Sequence, residues 1–277
     1  MEVKVLDHTD SSLTLRFDDT DPTIVNSIRR TLLADVPKMA IEDVEFHLGP
    51  IRAEDGKEYE SVAPLFDEII SHRLGLVPIP TDLALFVPKA TCPTCHGEGC
   101  PNCTIIYSLN KRGPGTVTSG DLEPIGDPKL KPKDAAIPIV KLGDGQALLI
   151  YATAILGTGK DHAKWQVAHG VGYGFTTVLK AGGKTFEAQD AKVPVCTEHI
   201  LRPGNEEVTI ELKTECKNCR KFADAYDTKS VKLFNDPTKI RMQFETDGSL
   251  SARDTLVAAL DILEKRFADL AGKVELL

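Results

Sequence analysis

The chain has 277 residues, 42 % apolar and 27 % charged, a balance that suits one or two globular domains with a sizeable core and excludes a chain too polar to fold. A formal net charge of −8 argues against a protein that grips DNA through its own surface, because phosphate neutralisation needs a basic face. No apolar run approaches the roughly 18 residues needed to span a bilayer. The start, Met1-Glu2-Val3-Lys4-Val5, has no basic leader followed by an apolar stretch, so a cytoplasmic protein is expected.

In chain order, Ser12-Leu13-Thr14-Leu15-Arg16-Phe17 alternates polar and apolar, as a half-buried strand does. Asp21-Pro22 then starts a helix, with Asp as cap and Pro at the first helical position. Ile24, Ile28 and Leu32 recur every fourth residue and predict an apolar face, and Val36-Pro37 ends the helix. Residues 41–90 should hold further strands and one short helix around Leu65–Ile70. From Asn110 to Ile139, frequent Gly, Pro and Lys predict loops joined by short strands. Ala147–Leu156 is apolar and fits either a buried strand or a short helix. Residues 166–222 carry Gly-rich turns. Ile240–Glu245 alternates as a strand, and Asp247-Gly248 turns the chain. Ser251 with Asp254 three residues on resembles a capping box, with Asp in place of Glu. Leu256, Leu260, Leu263, Phe267 and Leu270 then form an apolar seam of about four helical turns. Such a seam is either core or the packing surface for a partner helix, and pattern alone does not decide.

The seven cysteines are clustered, which in a cytoplasmic chain points to metal chemistry rather than a disulfide framework. Cys92, Cys95, Cys100 and Cys103 form C-x2-C-x4-C-x2-C, and Gly97 and Gly99 permit the tight turn between the pairs. Two such pairs can set four thiolates tetrahedrally, as a closed structural zinc site requires; unligated thiols are the alternative. A four-thiolate site has no open position for catalysis. Cys95-His-Gly-Glu-Gly also looks locally like the zinc repeat of a DnaJ-type chaperone, but the chain has one such stretch and no His-Pro-Asp tripeptide. The other set, Cys196 with Cys216-Lys-Asn-Cys219, offers three thiolates for a 3Fe–4S cluster, or for a 4Fe–4S cluster with an outside ligand. The next ferredoxin-type position is Phe222 rather than Cys, so degenerate thiols or a local Cys216–Cys219 disulfide stand beside that reading.

Gly157-Thr-Gly159-Lys160 invites a phosphate-loop reading and fails on spacing, with Ala154 where Gly is needed and Asp161 where Ser or Thr is needed, so a structural turn is expected. Asn26, Arg29 and Arg30 lie on the first predicted helix. The two arginines form either a solvated basic face or forked contacts to carboxylates. No Ser-His-Asp or Cys-His arrangement stands out, and His72, His162, His169 and His199 are scattered, so no catalytic residue is assigned.

Three stretches together resemble one family. Asp21-Pro-Thr-Ile-Val-Asn26-Ser-Ile-Arg29-Arg30 through Ile41 is similar to the signature shared by the bacterial alpha N-terminal domain, archaeal D-type subunits and the eukaryotic third-largest polymerase subunits. Leu65-Phe-Asp67-Glu68-Ile-Ile-Ser-His72-Arg73-Leu74-Gly75-Leu76-Val-Pro78 resembles the D-type stretch that follows. Gly157–Trp165 resembles the family's Gly-x-x-x-x-His-Ala-Lys-Trp run. Phe244–Leu250 and the helix after it also fit, so the likeness covers nearly the whole chain in order.

The resemblance implies an α+β chain: a discontinuous alpha-subunit-type dimerisation domain (1–46 and 223–277), an inserted mostly-β domain with the zinc-type loop (47–165), and a ferredoxin-like insertion (166–222). It implies a non-catalytic assembly platform of archaeal DNA-directed RNA polymerase, a nucleotidyltransferase complex. The implied partners are the small subunit L as heterodimer partner, the second-largest catalytic subunit, and the small subunits N and P. Asn26, Arg29, Arg30, Leu256, Leu260, Leu263 and Phe267 become interface residues. Two rivals come from other classes: a redox enzyme with a ferredoxin module, against which Phe222 argues, and a zinc-dependent chaperone of DnaJ type, which would need several zinc repeats and a J domain.

Overall fold

The computed structural model describes residues 1–52, 56–181, 193–194, 200–201, 208–211 and 231–275. The fold is mixed α and β, with mostly antiparallel sheets. It divides into two compact units.

One unit comprises Met1–His8, Thr14–Ser27 and Gly172–Gln243. Its sheet has the order β1-β2-β15-β11-β14, built from β1 (Glu2–His8), β2 (Ser12–Asp18), β11 (Ala168–Ala181), β14 (Val208–Glu211) and β15 (Val231–Thr246). The alternation read in β2 is real: Leu13, Leu15 and Phe17 are buried between half-exposed neighbours. Asp18 is buried against Arg16 at 2.8 Å.

The other unit comprises Thr9–Leu13, Ile28–Val171 and Phe244–Leu277. A four-stranded sheet, β3-β10-β6-β8, forms its centre from β3 (Pro37–Phe46), β6 (Thr104–Arg112), β8 (Glu123–Pro124) and β10 (Ala147–Thr158). Small pairs β4–β5 (Pro50–Arg52, Glu58–Glu60) and β7–β9 (Gly115–Thr118, Pro138–Leu142) accompany it. β10 settles the open reading of 147–156 as a strand. Leu148, Ile150, Ala152, Ala154 and Leu156 face inward, while Tyr151 on the other face is 47 % exposed. Ile105, Tyr107 and Leu109 of β6 share the inner face. Ala152 lies opposite Tyr107, so a small side chain makes room for a large one. The Tyr107 hydroxyl donates to the Leu130 carbonyl at 2.6 Å, which satisfies the polar end of a fully buried ring. α2 (Asp67–Gly75) lays Ile70 and Leu74 into the same core, and its extent corrects the expectation of a helix around 65–70 by a turn.

α1 (Pro22–Ala34) begins as expected, with Asp21 Oδ1 accepting from the Thr23 backbone N–H at 2.7 Å. Its buried face is Val25, Ile28 and Leu32; Ile24, expected in that stripe, is 46 % exposed. A 3.6-residue period rotates a strict i, i+4 row off the core-facing side. α3 (Ala252–Val274) follows the turn at Gly248, whose φ of 88° suits glycine. Ser251 Oγ accepts from the Asp254 N–H at 3.0 Å, and the Ser251 hydroxyl donates to the Asp254 carboxylate at 2.7 Å. Among the described residues no helix is long and apolar enough to cross a membrane.

Candidate metal centre and subunit interface

The loop holding the cysteine quartet runs from a short 3-10 turn (Lys89–Thr91) into β6, and its two ends are held differently. Cys103 is fully buried one residue before β6, and Cys92 is buried too, whereas Cys95 and Cys100 are half-exposed. Each C-x2-C pair forms a turn. The His96 N–H bonds the Cys92 carbonyl at 3.1 Å, and the Cys103 N–H bonds the Cys100 carbonyl at 2.9 Å. His96, Gly97 and Gly99 adopt positive φ of 51°, 100° and 112°, so the link between the turns needs its glycines. Asn102 Nδ2 donates to Thr94 Oγ1 at 3.2 Å and ties one turn to the other.

The four sulfur atoms all lie within 4.8 Å of one another. Cys92–Cys100, Cys95–Cys103 and Cys100–Cys103 are 3.6, 3.5 and 3.8 Å apart. A tetrahedron with metal–sulfur bonds of about 2.3 Å has edges of about 3.8 Å, so the quartet fits one ion. A cubane cluster would place each thiolate on its own iron and spread the sulfurs further. The Gly99 N–H points at Cys95 Sγ (3.2 Å) and the Cys100 N–H at Cys103 Sγ (3.3 Å), the donor arrangement that supports thiolate charge.

These surroundings divide the thiols. At Cys95 burial opposes ionisation, but the N–H groups of Gly99 and Gly97 outweigh it and bring the thiol down to about 6. The N–H groups of Cys95 and Thr94 lower Cys92. Burial pushes Cys103 up to about 12, and Cys100 also rises, held there by burial and by its sulfur neighbours against the Asn102 N–H. A metal-free loop therefore keeps protons on Cys100 and Cys103 near neutrality, and an incoming cation has to displace them.

Cys196, Cys216, Cys219 and Phe222 fall outside the described residues. Asn26 and Arg29 are half-buried on α1, and Arg30 is exposed. Among the described residues the α3 seam is only partly covered. Ala252, Thr255 and Ala259 are the buried residues of α3, while Leu256 and Leu263 are partly exposed and Leu260 and Phe267 are 43 % and 64 % exposed. Every residue from 264 to 275 is exposed, including Leu270 and Val274.

Some supports lay beyond sequence reasoning. Arg266 grips Asp35 with both guanidinium nitrogens at 2.7 Å, tying the exposed half of α3 to the residue after α1. Lys38, 3 % exposed, pairs with Asp247. The residues of each pair are more than two hundred positions apart, so no local pattern flags them. Gly157-Thr-Gly159-Lys160, expected as a structural turn, closes β10 at Thr158 and turns the chain from Gly159 towards the short 3-10 helix Ala163–Trp165. A Cβ on Gly157 would stand 2.4 Å from the Trp165 ring, and one on Gly159 would stand 2.4 Å from the Leu33 carbonyl oxygen. Trp165 Nε1 donates to the Ile155 carbonyl at 3.1 Å, and Lys164 lies 4.4 Å from the Trp165 ring centroid while pairing with Glu42.

The antiparallel sheet with its α2 cover and cysteine loop defines a class: residues 51–174 match the RNA polymerase Rpb3/RpoA insert domain. Whole-chain relatives narrow it. A DNA-directed RNA polymerase subunit Rpo3 from Picrophilus torridus is 45 % identical over 96 % of this chain and 97 % of its own length. Rpo3 of Thermoplasma volcanium is 44 % identical with the same coverage, and that of Methanosarcina acetivorans 33 % identical over 95 % of this chain and 94 % of the relative. The chain belongs to the family of archaeal DNA-directed RNA polymerase subunit Rpo3, the D-type subunits.

Proposed function

We propose that the chain is a non-catalytic assembly platform of archaeal RNA polymerase that pairs with the small subunit L through α3, joined by Asn26, Arg29 and Arg30 of α1, and then recruits the second-largest catalytic subunit and the small subunits N and P. The observation that carries this reading is the bare seam of α3. Leu260, Phe267, Leu270 and Val274 lie exposed on one side of a helix whose last twelve described residues are all exposed, with Arg266 reaching back to Asp35. An isolated helix of about 12 residues is marginal in water, so this one gains stability from an apolar partner. A discontinuous dimerisation domain (1–46 and 223–277), an insert (47–165) and a ferredoxin-like insertion (166–222) belong to the same reading. So do zinc at Cys92, Cys95, Cys100 and Cys103, and an iron–sulfur cluster at Cys196, Cys216 and Cys219.

When bound, the zinc supplies no chemistry beyond closing the loop; the cysteines hold the entry to β6 in one geometry. Co-expression with a candidate L subunit, followed by mass and metal analysis, tests the proposal. A one-to-one heterodimer with about one zinc per chain is expected, and iron beyond background would add the cluster. A chain that stays monomeric, or self-associates regardless of L, would sink the platform role.

A further inference from the structure

A second surface of α3 faces away from the seam. At about 100° per residue, the mean direction of Asp254, Val257, Ala258 and Asp261 lies about 140° around the helix from that of Leu256, Leu260, Leu263 and Phe267. This side of α3 forms one wall of a cleft of about 420 Å³, and the turn at Asp82 and Leu83 forms the other. The cleft is firmly built. Asp82 Oδ1 accepts from the Ala84 N–H at 2.9 Å, the Asp82 carbonyl accepts from the Leu85 and Phe86 N–H groups at 3.2 and 3.1 Å, and the Thr81 N–H bonds the Ser249 carbonyl at 3.0 Å.

Its lining joins apolar surface to one sign of charge. Leu83 is partly buried, Leu250 is buried and Val257 is 47 % exposed. Asp82, Asp254 and Asp261 supply three carboxylates, no basic residue lines the cleft, and among the described residues none of the three pairs with a cation. The aspartates do not converge as metal ligands; among the described residues the converging group is the cysteine quartet. A second copy of the chain is a poor occupant, since each copy carries a net charge of −8.

We infer that the cleft docks a segment of another polymerase subunit in which a lysine or arginine stands beside aliphatic residues, the cation among the carboxylates and the aliphatic groups on Leu83 and Val257. This goes beyond the seam reading and needs only membership of the polymerase. α3 would then hold two partners on nearly opposite sides.

The test places the photo-crosslinking residue p-benzoylphenylalanine at Ala258 of the full chain, and separately at Val257, in purified polymerase. Mass spectrometry should find one attachment site on another subunit, within a few residues of a lysine or arginine. The double variant Asp82→Asn with Asp261→Asn, which removes charge without adding bulk, should lower the crosslink yield roughly tenfold while the melting temperature of the chain stays unchanged. Attachment to a stretch without basic residues, to this chain or to a second copy would overturn the proposal. So would no attachment from either position, or a yield indifferent to the aspartates.

Discussion

Two helices of this chain carry similar apolar stripes in sequence and end in opposite circumstances. α1 buries Val25, Ile28 and Leu32 almost completely within its own chain, whereas α3 leaves Leu260, Phe267 and Leu270 in solvent. An amphipathic stripe shows that something favours covering it; it does not say whether the cover is intramolecular. The cysteine loop offers the same contrast on a smaller scale, since it is anchored by buried Cys103 and yet, on the proposed reading, completed by a metal ion.

Experiments can break this contrast between parts the chain completes itself and parts completed from outside. The largest effect is expected at the loop. Cys103→Ser should take bound metal from about one ion per chain to none and unfold the loop locally, as metal analysis and hydrogen exchange would show. In the unsubstituted protein, metal affinity should rise with pH, because binding expels the protons held by Cys100 and Cys103. The fall in affinity should steepen below about 6, where in the metal-free loop Cys95 also holds a proton that the ion must displace. A metal content insensitive to Cys103→Ser would mean that the quartet is not the site.

Next comes the helix pair. Leu32→Ala removes a fully buried side chain and should cost about 2–5 kcal/mol in denaturant unfolding. Leu260→Asp with Phe267→Asp should move the unfolding free energy of the isolated chain by about 0.5 kcal/mol or less, yet weaken the heterodimer about a hundredfold or more. If the seam variant is as destabilised as Leu32→Ala, α3 is covered by the chain itself and the contrast fails.

The smallest effect sits at the short turn Ser119–Asp121, where Asp121 is partly exposed. At Asp121 burial favours the neutral acid, but the Lys111 ammonium at 2.6 Å and the Thr118 N–H at 2.7 Å hold the carboxyl below its usual range. A depressed folded value means the contribution is present at neutral pH and is lost as pH falls through that value. Asp121→Asn should therefore cost about 1 kcal/mol at pH 7, with the gap to the unsubstituted protein closing below about pH 4.

Much of this was legible residue by residue. The alternation of β2, the Asp21 start of α1 and the Ser251 cap are local, and local chemistry produced what each predicted; the four-cysteine spacing likewise brought its four sulfurs together. Where expectation and structure parted, the cause was three-dimensional. Ile24 lost its place in the core to Val25 because helical rotation, not simple spacing, chooses the inward side. The choice between strand and helix at 147–156 was made by the flanking β3 and β6, which supply hydrogen bonds along both edges of β10.

The amino-acid sequence by itself determined the chain's family, the positions of its helix starts and the set of thiols able to share one ion, because motif order, capping and ligand spacing act over a few residues. Only the tertiary structure decided which stripe is core and which is bare, that Arg266 meets Asp35 and Lys38 meets Asp247, and that three aspartates rim an apolar cleft. Burial and long-range pairing depend on where distant segments converge, and no window along the chain contains that information.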